Sequence, residues 1–203
     1  MATIQRNAGP GSVLAPQGVN FPAERFAANA FTLTELVVVF AIVIILTGLV
    51  LTALRYVREK GARARAETEI AAMSTACENY NADNAVYPRD QTTTDTLDSR
   101  GLINFAAYQA AAQYLYGQLA GDPDFDGVPN ANSTSYMQFK PKMLGTDNAN
   151  KVYPRDPFGN SYGYCTIQAA TGDTTKGYNP TFDLWSTAGQ TTGSDPTRWI
   201  KNW

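Results

Sequence analysis

"FTLTELVVVFAIVIILTGLVLTAL", residues 31–54, is an apolar run with one carboxylate, Glu35, close to its start. The 19 residues from Leu36 to Leu54 carry no charge. As a helix they are about 28 Å long, close to the roughly 30 Å of hydrocarbon in a bilayer. The core helix of a soluble domain usually keeps a polar side, and this stretch keeps none, so it predicts a transmembrane helix. A secretory signal peptide has a shorter apolar region, about 7–15 residues, closed by a small-residue cleavage site. Here the run passes directly into "RYVREKGARARAETEIAAMSTACENYNADN", residues 55–84.

That continuation contains no proline and a single glycine, Gly61, and it is dominated by alanine, glutamate and arginine, all good helix formers. Ala62, Ala66, Ile70, Met73, Cys77 and Tyr80 recur at spacings of three and four, which is the period of one helix face. The sequence therefore predicts one helix from 31 to about 84. Residues 31–54 are its transmembrane segment and 55–87 its amphipathic continuation, with Asn84 and Pro88 marking the end.

Within this frame Glu35 needs a partner. A carboxylate in hydrocarbon is expensive and marks a functional position by default. No basic residue lies within a turn or two of it along the helix; the nearest are Arg25 and Arg55. One candidate is an α-amino group at Phe31, on the same or a neighbouring subunit, which exists only if the chain is cut after Ala30.

The stretch "ANAFTLTELVVVFAIVIILTGLV", residues 28–50, resembles the N-terminus of prepilins and pseudopilins, the type IV pilin-like proteins of bacterial pili and type II secretion systems. Phe31, Thr32, Leu33, Glu35 and Leu36 stand where that family has them. Ala30 replaces the usual glycine, and Thr34 the common isoleucine. The resemblance implies that a prepilin peptidase cuts between Ala30 and Phe31, that the new amine of Phe31 is N-methylated, and that Glu35 serves assembly by pairing with a neighbour's terminus. Residues 1–30 are then a cleaved leader. It also implies an α+β, pilin-like fold, with a long N-terminal helix packed on a small antiparallel-sheet head at 88–203. The expected location is the bacterial inner membrane, single-pass, with the head in the periplasm. The implied partners are further copies in a helical filament, minor pseudopilins, an inner-membrane assembly platform and the peptidase. One feature conflicts with this orientation: Arg55, Arg58, Lys60, Arg63 and Arg65 follow the apolar run, and a positive-inside count would put them in the cytoplasm.

Composition narrows the chemistry of the head. The chain has 16 basic and 18 acidic residues and a net charge of −2, which gives no electrostatic case for nucleic-acid binding. Histidine is absent, so His-based general bases and every His-containing metal site are excluded. The two cysteines, Cys77 and Cys165, are too few for a zinc site; outside the cytoplasm a disulfide between them is one alternative.

Residues 101–121 read as a helix bounded by glycines, and 136–144 and 161–169 as strands. "YPRD" occurs at 87–90 and 153–156 with unrelated flanks, so it is not a repeat. Asp122, Asp124 and Asp126 alternate ahead of Gly127 like the opening of a calcium loop. The bidentate acid that an EF-hand needs is Ser133 here, which excludes that loop and leaves a looser calcium site or a solvated turn. "DPFGNSYGY", 156–164, and "FDLWSTAGQTTGSDPTRWIKNW", 182–203, resemble stretches of major type II pseudopilins. That resemblance implies a calcium loop to which Asp195 contributes. Gln190 stands in the place of the second acid and offers only a neutral oxygen, so a weak site or none is expected. Asp183 is expected to cap a turn. The segment 89–151 matches nothing in that group and reads as an insert.

Trp185, Trp199, Trp203, Phe158 and Phe182 read as core, with a sugar-binding platform as the alternative. The function expected is a filament subunit and not an enzyme. A membrane-tethered enzyme, or a carbohydrate- or protein-binding module, is the alternative, and either would leave Glu35 unexplained.

Overall fold

The computed structural model describes residues 31–193 and 195–203. The chain divides into two units, one ending at Thr47 and one running from Gly48 to Trp203. Helix α1, Leu33–Asn84, contributes to both. The leader and Ala30 lie outside the described residues.

In the first unit every large apolar side chain from Leu33 to Leu46 is more than half exposed. Valine and isoleucine are crowded at χ1 in helices and are middling helix formers in water. In hydrocarbon the backbone must satisfy its own hydrogen bonds, and a helix does so within one segment. Helix α1 is long and apolar enough to cross a membrane.

The second unit is α+β. The expected stripe is the buried face of α1: Ala66, Ile70, Met73 and Cys77 are buried, with Ala62 and Tyr80 half-buried. Helix α1 ends at Asn84, where Ala85 turns left-handed (φ 59°) and Asn84 Nδ2 donates to the Tyr80 carbonyl. Helix α2, Phe105–Ala120, starts at Asn104, whose side chain accepts from the Ala107 N–H, and stops at Gly121 in the left-handed region. It starts later than 101 because Asn104 is still extended (φ −135°, ψ 91°) where it caps the helix.

Strands β1, Leu144–Thr146, and β2, Val152–Pro154, form an antiparallel hairpin. Strand β3, Gly163–Cys165, is followed by a short helix α3, Ile167–Thr171, then β4, Asp183–Ser186, and β5, Ile200–Lys201. These three strands form an antiparallel sheet in the order β3-β4-β5, with Gly163 opposite Trp185 and Ser186 opposite Ile200. Tyr162, Tyr164 and Leu184 from the sheet region join Leu115 and Leu119 of α2 against the α1 stripe. Tyr108 packs with Trp185, Trp199 and Cys165 in a second cluster.

Two expectations are corrected here. Residues 136–140 are not a strand, because the Tyr136 and Met137 N–H groups both turn back to the Leu119 carbonyl and pairing starts only at Leu144. The strand expected over 161–169 ends at Cys165, since the Thr166 hydroxyl is held by Thr94 and Asp95 and α3 begins beyond it. The segment 89–151, read as an insert, contains helix α2, which supplies Tyr108, Leu115 and Leu119 to the core.

Trp185, Trp199 and Phe182 are buried, and Trp203 stacks on Tyr178 with ring centroids 4.6 Å apart.

Candidate functional site

The start of α1 shows what holds Glu35. Thr32 Oγ1 accepts from the Glu35 N–H at 3.2 Å, and Glu35 Oε2 accepts from the Thr32 N–H at 2.9 Å and the Thr32 hydroxyl at 2.8 Å. This reciprocal pair is a capping box, which satisfies donors that a helix start otherwise leaves open. A negative side chain in the first turn also suits the helix dipole. Glu35 thus finds hydrogen-bond donors on Thr32 rather than a cation, and the Thr-x-x-Glu spacing of residues 32–35 is the sequence signal for them. Among the described residues, Oε1 of Glu35 has no partner, and the side chain is exposed. Phe31, exposed as well, directly precedes the cap.

The acidic loop after α2 gathers its three aspartates. One oxygen from each of Asp122, Asp124 and Asp126 lies within 4.8 Å of the others. Asp122 is buried, and its carboxylate accepts from Tyr116 Oη at 3.0 Å, the Gly127 N–H at 2.8 Å and the Asp126 N–H at 3.3 Å. Burial opposes ionisation of Asp122, but the bonds from Gly127 and Tyr116 outweigh it and hold the carboxyl below its ordinary range. Lys151 Nζ donates to the Asp124 carbonyl. The oxygens are of the kind a hard cation takes, and Asp124 and Asp126 are the exposed ones. The bonds of Asp122 meanwhile close the loop by themselves.

The other expected ligands are engaged separately. Gln190 Oε1 accepts from Trp199 Nε1 at 2.7 Å, while Asp195 Oδ1 accepts from the Thr197 N–H and hydroxyl and caps the turn at 196–198. Among the described residues the two side chains share no partner. Asp183 caps a turn as expected, accepting from the N–H groups of Tyr178 and Asn179 at 2.8 Å, and it also accepts from Ser99 Oγ at 2.5 Å. Asp156 plays the same part in the 156–160 turn, accepting from the Phe158 and Asn160 N–H groups and from Ser186 Oγ at 2.6 Å. Burial pushes its carboxyl up in spite of those bonds.

Cys77 and Cys165 are both free and buried. Cys77 belongs to the cluster under α1, and Cys165 belongs to the Trp185 cluster, with its thiol facing Asp183 Oδ2 at 3.6 Å. Burial pushes the Cys165 thiol up to about 12 and raises Cys77 as well.

No protein-family model matches the chain, and no curated protein matches it significantly.

Proposed function

We propose that the chain is a structural subunit of a pilin-like filament, a pseudopilus of type II protein secretion or a type IV pilus-like fibre. It is cut between Ala30 and Phe31 by a prepilin peptidase, methylated at Phe31 and assembled through its N-terminal helix. Minor pseudopilins and an inner-membrane platform are the partners of assembly, and the head stands in the periplasm. The observation that carries this reading is Glu35, a lone carboxylate at the head of an apolar run whose large side chains are exposed from Leu33 to Leu54.

The geometry supports a division of labour at that carboxylate. Oε2 is used by the cap, while Oε1 retains its lone pairs. Cutting after Ala30 would place an ammonium one residue before Thr32. A neighbour's ammonium can then meet Oε1 without the cap being broken, and in a medium of low dielectric that attraction is far stronger than in water. Helices that are apolar all round gain from packing on their like, and Gly48 offers a place of close approach. A heterologous contact repeated from copy to copy gives an open helical polymer. The head needs no catalytic centre in this role, and its buried aspartates Asp122, Asp156 and Asp183 close turns.

The test is intact-mass and N-terminal analysis of the protein taken from membranes of its native host. A chain beginning at Phe31 and one methyl group heavier is the expected result. A chain that keeps residues 1–30 beside an active peptidase would sink the reading and leave a tethered domain to be explained.

A further inference from the structure

We propose that the cations gathered beside Leu54 form a binding surface for anionic phospholipid headgroups. The proposal rests on the membrane-spanning reading of the apolar run, and it goes beyond assembly.

Within the unit Gly48–Trp203, helix α1 changes chemistry in one step. Leu49, Val50, Leu51 and Leu54 are exposed and apolar, and Arg55, Arg58 and Lys60 follow at once, exposed as well. The fold then adds cations that are distant in sequence. Arg63 donates through both Nη atoms to the Arg198 carbonyl at 3.2 Å, and Arg65 Nη2 donates to the Lys142 carbonyl at 2.8 Å. These bonds tie the segments carrying Lys142 and Arg198 to the same level of the helix. Residues 55–70, with the attached segments 140–142 and 196–198, hold eight cations and three carboxylates; the rest of this unit holds six and thirteen. Charge is therefore strongly polarised toward the end that carries the apolar residues.

The nearby acids do not neutralise this surface. Glu59 lies 3.7 Å from Arg63, and Glu69 is taken by Arg65 at 2.6 Å and by Tyr162. Among the described residues Arg55 and Arg58 make no ion pair, and Lys60 only lies over the Tyr56 ring at 5.0 Å.

Geometry and chemistry favour lipid over a second protein. From Leu54 to Lys60 the helix rises about 9 Å, which keeps the three free cations at headgroup depth once the apolar run spans the hydrocarbon. Guanidinium and ammonium groups pair well with phosphate, and an anionic surface attracts a juxtamembrane basic cluster within a Debye length. The same contact answers the conflict left by the charge pattern. Cations that grip headgroups are useful on either face of the membrane.

The experiment reconstitutes the full chain in phosphatidylcholine vesicles carrying a trace of spin-labelled phosphatidylglycerol or spin-labelled phosphatidylcholine. Electron paramagnetic resonance reads the lipid immobilised at the protein. We expect phosphatidylglycerol to be held at least about threefold more strongly than phosphatidylcholine at 0.1 M salt. The preference should fall to parity in Arg55→Gln/Arg58→Gln/Lys60→Gln, which should immobilise the same total amount of lipid. Equal restriction of both lipids by the unaltered chain would overturn the proposal. If that result came together with weaker self-association of the triple variant, the surface would be assigned to acids of a second copy instead. Restriction of neither lipid would overturn the membrane-spanning reading along with it.

Discussion

Tyr162 donates its hydroxyl to Glu69 Oε2 at 2.7 Å, joining the start of the three-stranded sheet to helix α1 through a buried carboxylate. Glu69 Oε1 meanwhile accepts from Arg65 Nε at 2.6 Å. A buried polar group left unpaired costs more than its bond contributes. Glu69→Ala strands the Tyr162 hydroxyl in the core and is expected to destabilise by about 2–3 kcal/mol. Tyr162→Phe leaves the carboxylate its arginine and is expected to cost about 1 kcal/mol. The double variant should lose less than the sum, because the two side chains share one interaction. Urea unfolding of the full chain in detergent, followed by tryptophan fluorescence, measures all three.

Gly163 is fixed by close approach. A Cβ built there would stand 2.1 Å from Cε2 of Trp185, its partner across the β3–β4 ladder. Trp185 is fully buried between Tyr108 and Trp199, so the ring has nowhere to retreat. Gly163→Ala is expected to destabilise by about 3 kcal/mol or more, at the upper end for overpacking. Trp185→Leu in the same chain should recover part of the loss relative to Trp185→Leu alone. A fully additive pair would show that the ring is not the obstacle.

Alkaline pH should unfold the head earlier than its acids suggest. Burial pushes the Tyr108 and Tyr114 phenols up to about 12, against about 10 in the unfolded chain, and the Cys165 thiol also to about 12. Each folded value lies above the unfolded one, so the stability each group contributes is complete below the unfolded value and is lost as pH climbs through the folded one. The window runs from about pH 9, where free thiols titrate, to about pH 12. Far-UV circular dichroism and phenolate absorbance, recorded together, should show the last part of the phenolate rise, after the exposed phenols such as Tyr56, coincide with unfolding. Complete phenolate titration near pH 10 with the fold intact would contradict the burial described. The same burial makes both cysteines slow to alkylate in the native chain and quick in denaturant.

Much of this architecture was written in periodicity. The apolar run and the three-four spacing from Ala62 to Tyr80 gave helix α1 nearly to its last residue, because length and period are strong signals over fifty positions. Short strands carry little of either. The Met137 N–H turns back to Leu119, and Thr166 is captured by Thr94 and Asp95, both through contacts far away in sequence. The role of Asp183 as a turn cap was legible from its chemistry, whereas the gathering of the Lys142 and Arg198 segments beside Arg65 and Arg63 was not. Those cations reach the helix through carbonyl groups, which leave no trace in residue type. The Thr32–Glu35 pair was legible by its Thr-x-x-Glu spacing.

Glu35 carries two roles that one pair of substitutions can separate. A capping box accepts glutamine at the position of glutamate, so Glu35→Gln should keep the helix start nearly intact while removing the charge. Thr32→Val should do the reverse, losing the hydroxyl that accepts from the Glu35 N–H, at a cost of about 1 kcal/mol, with the carboxylate retained. Under the filament reading Glu35→Gln is processed but fails to assemble, and Thr32→Val assembles with a small loss of yield. Sheared-fibre yield and cross-linking between neighbouring helices in the native host report assembly, and the mass of the membrane-bound chain reports processing. Assembly of Glu35→Gln at the unaltered level would confine Glu35 to the cap and remove the carboxylate–ammonium pair from the proposal.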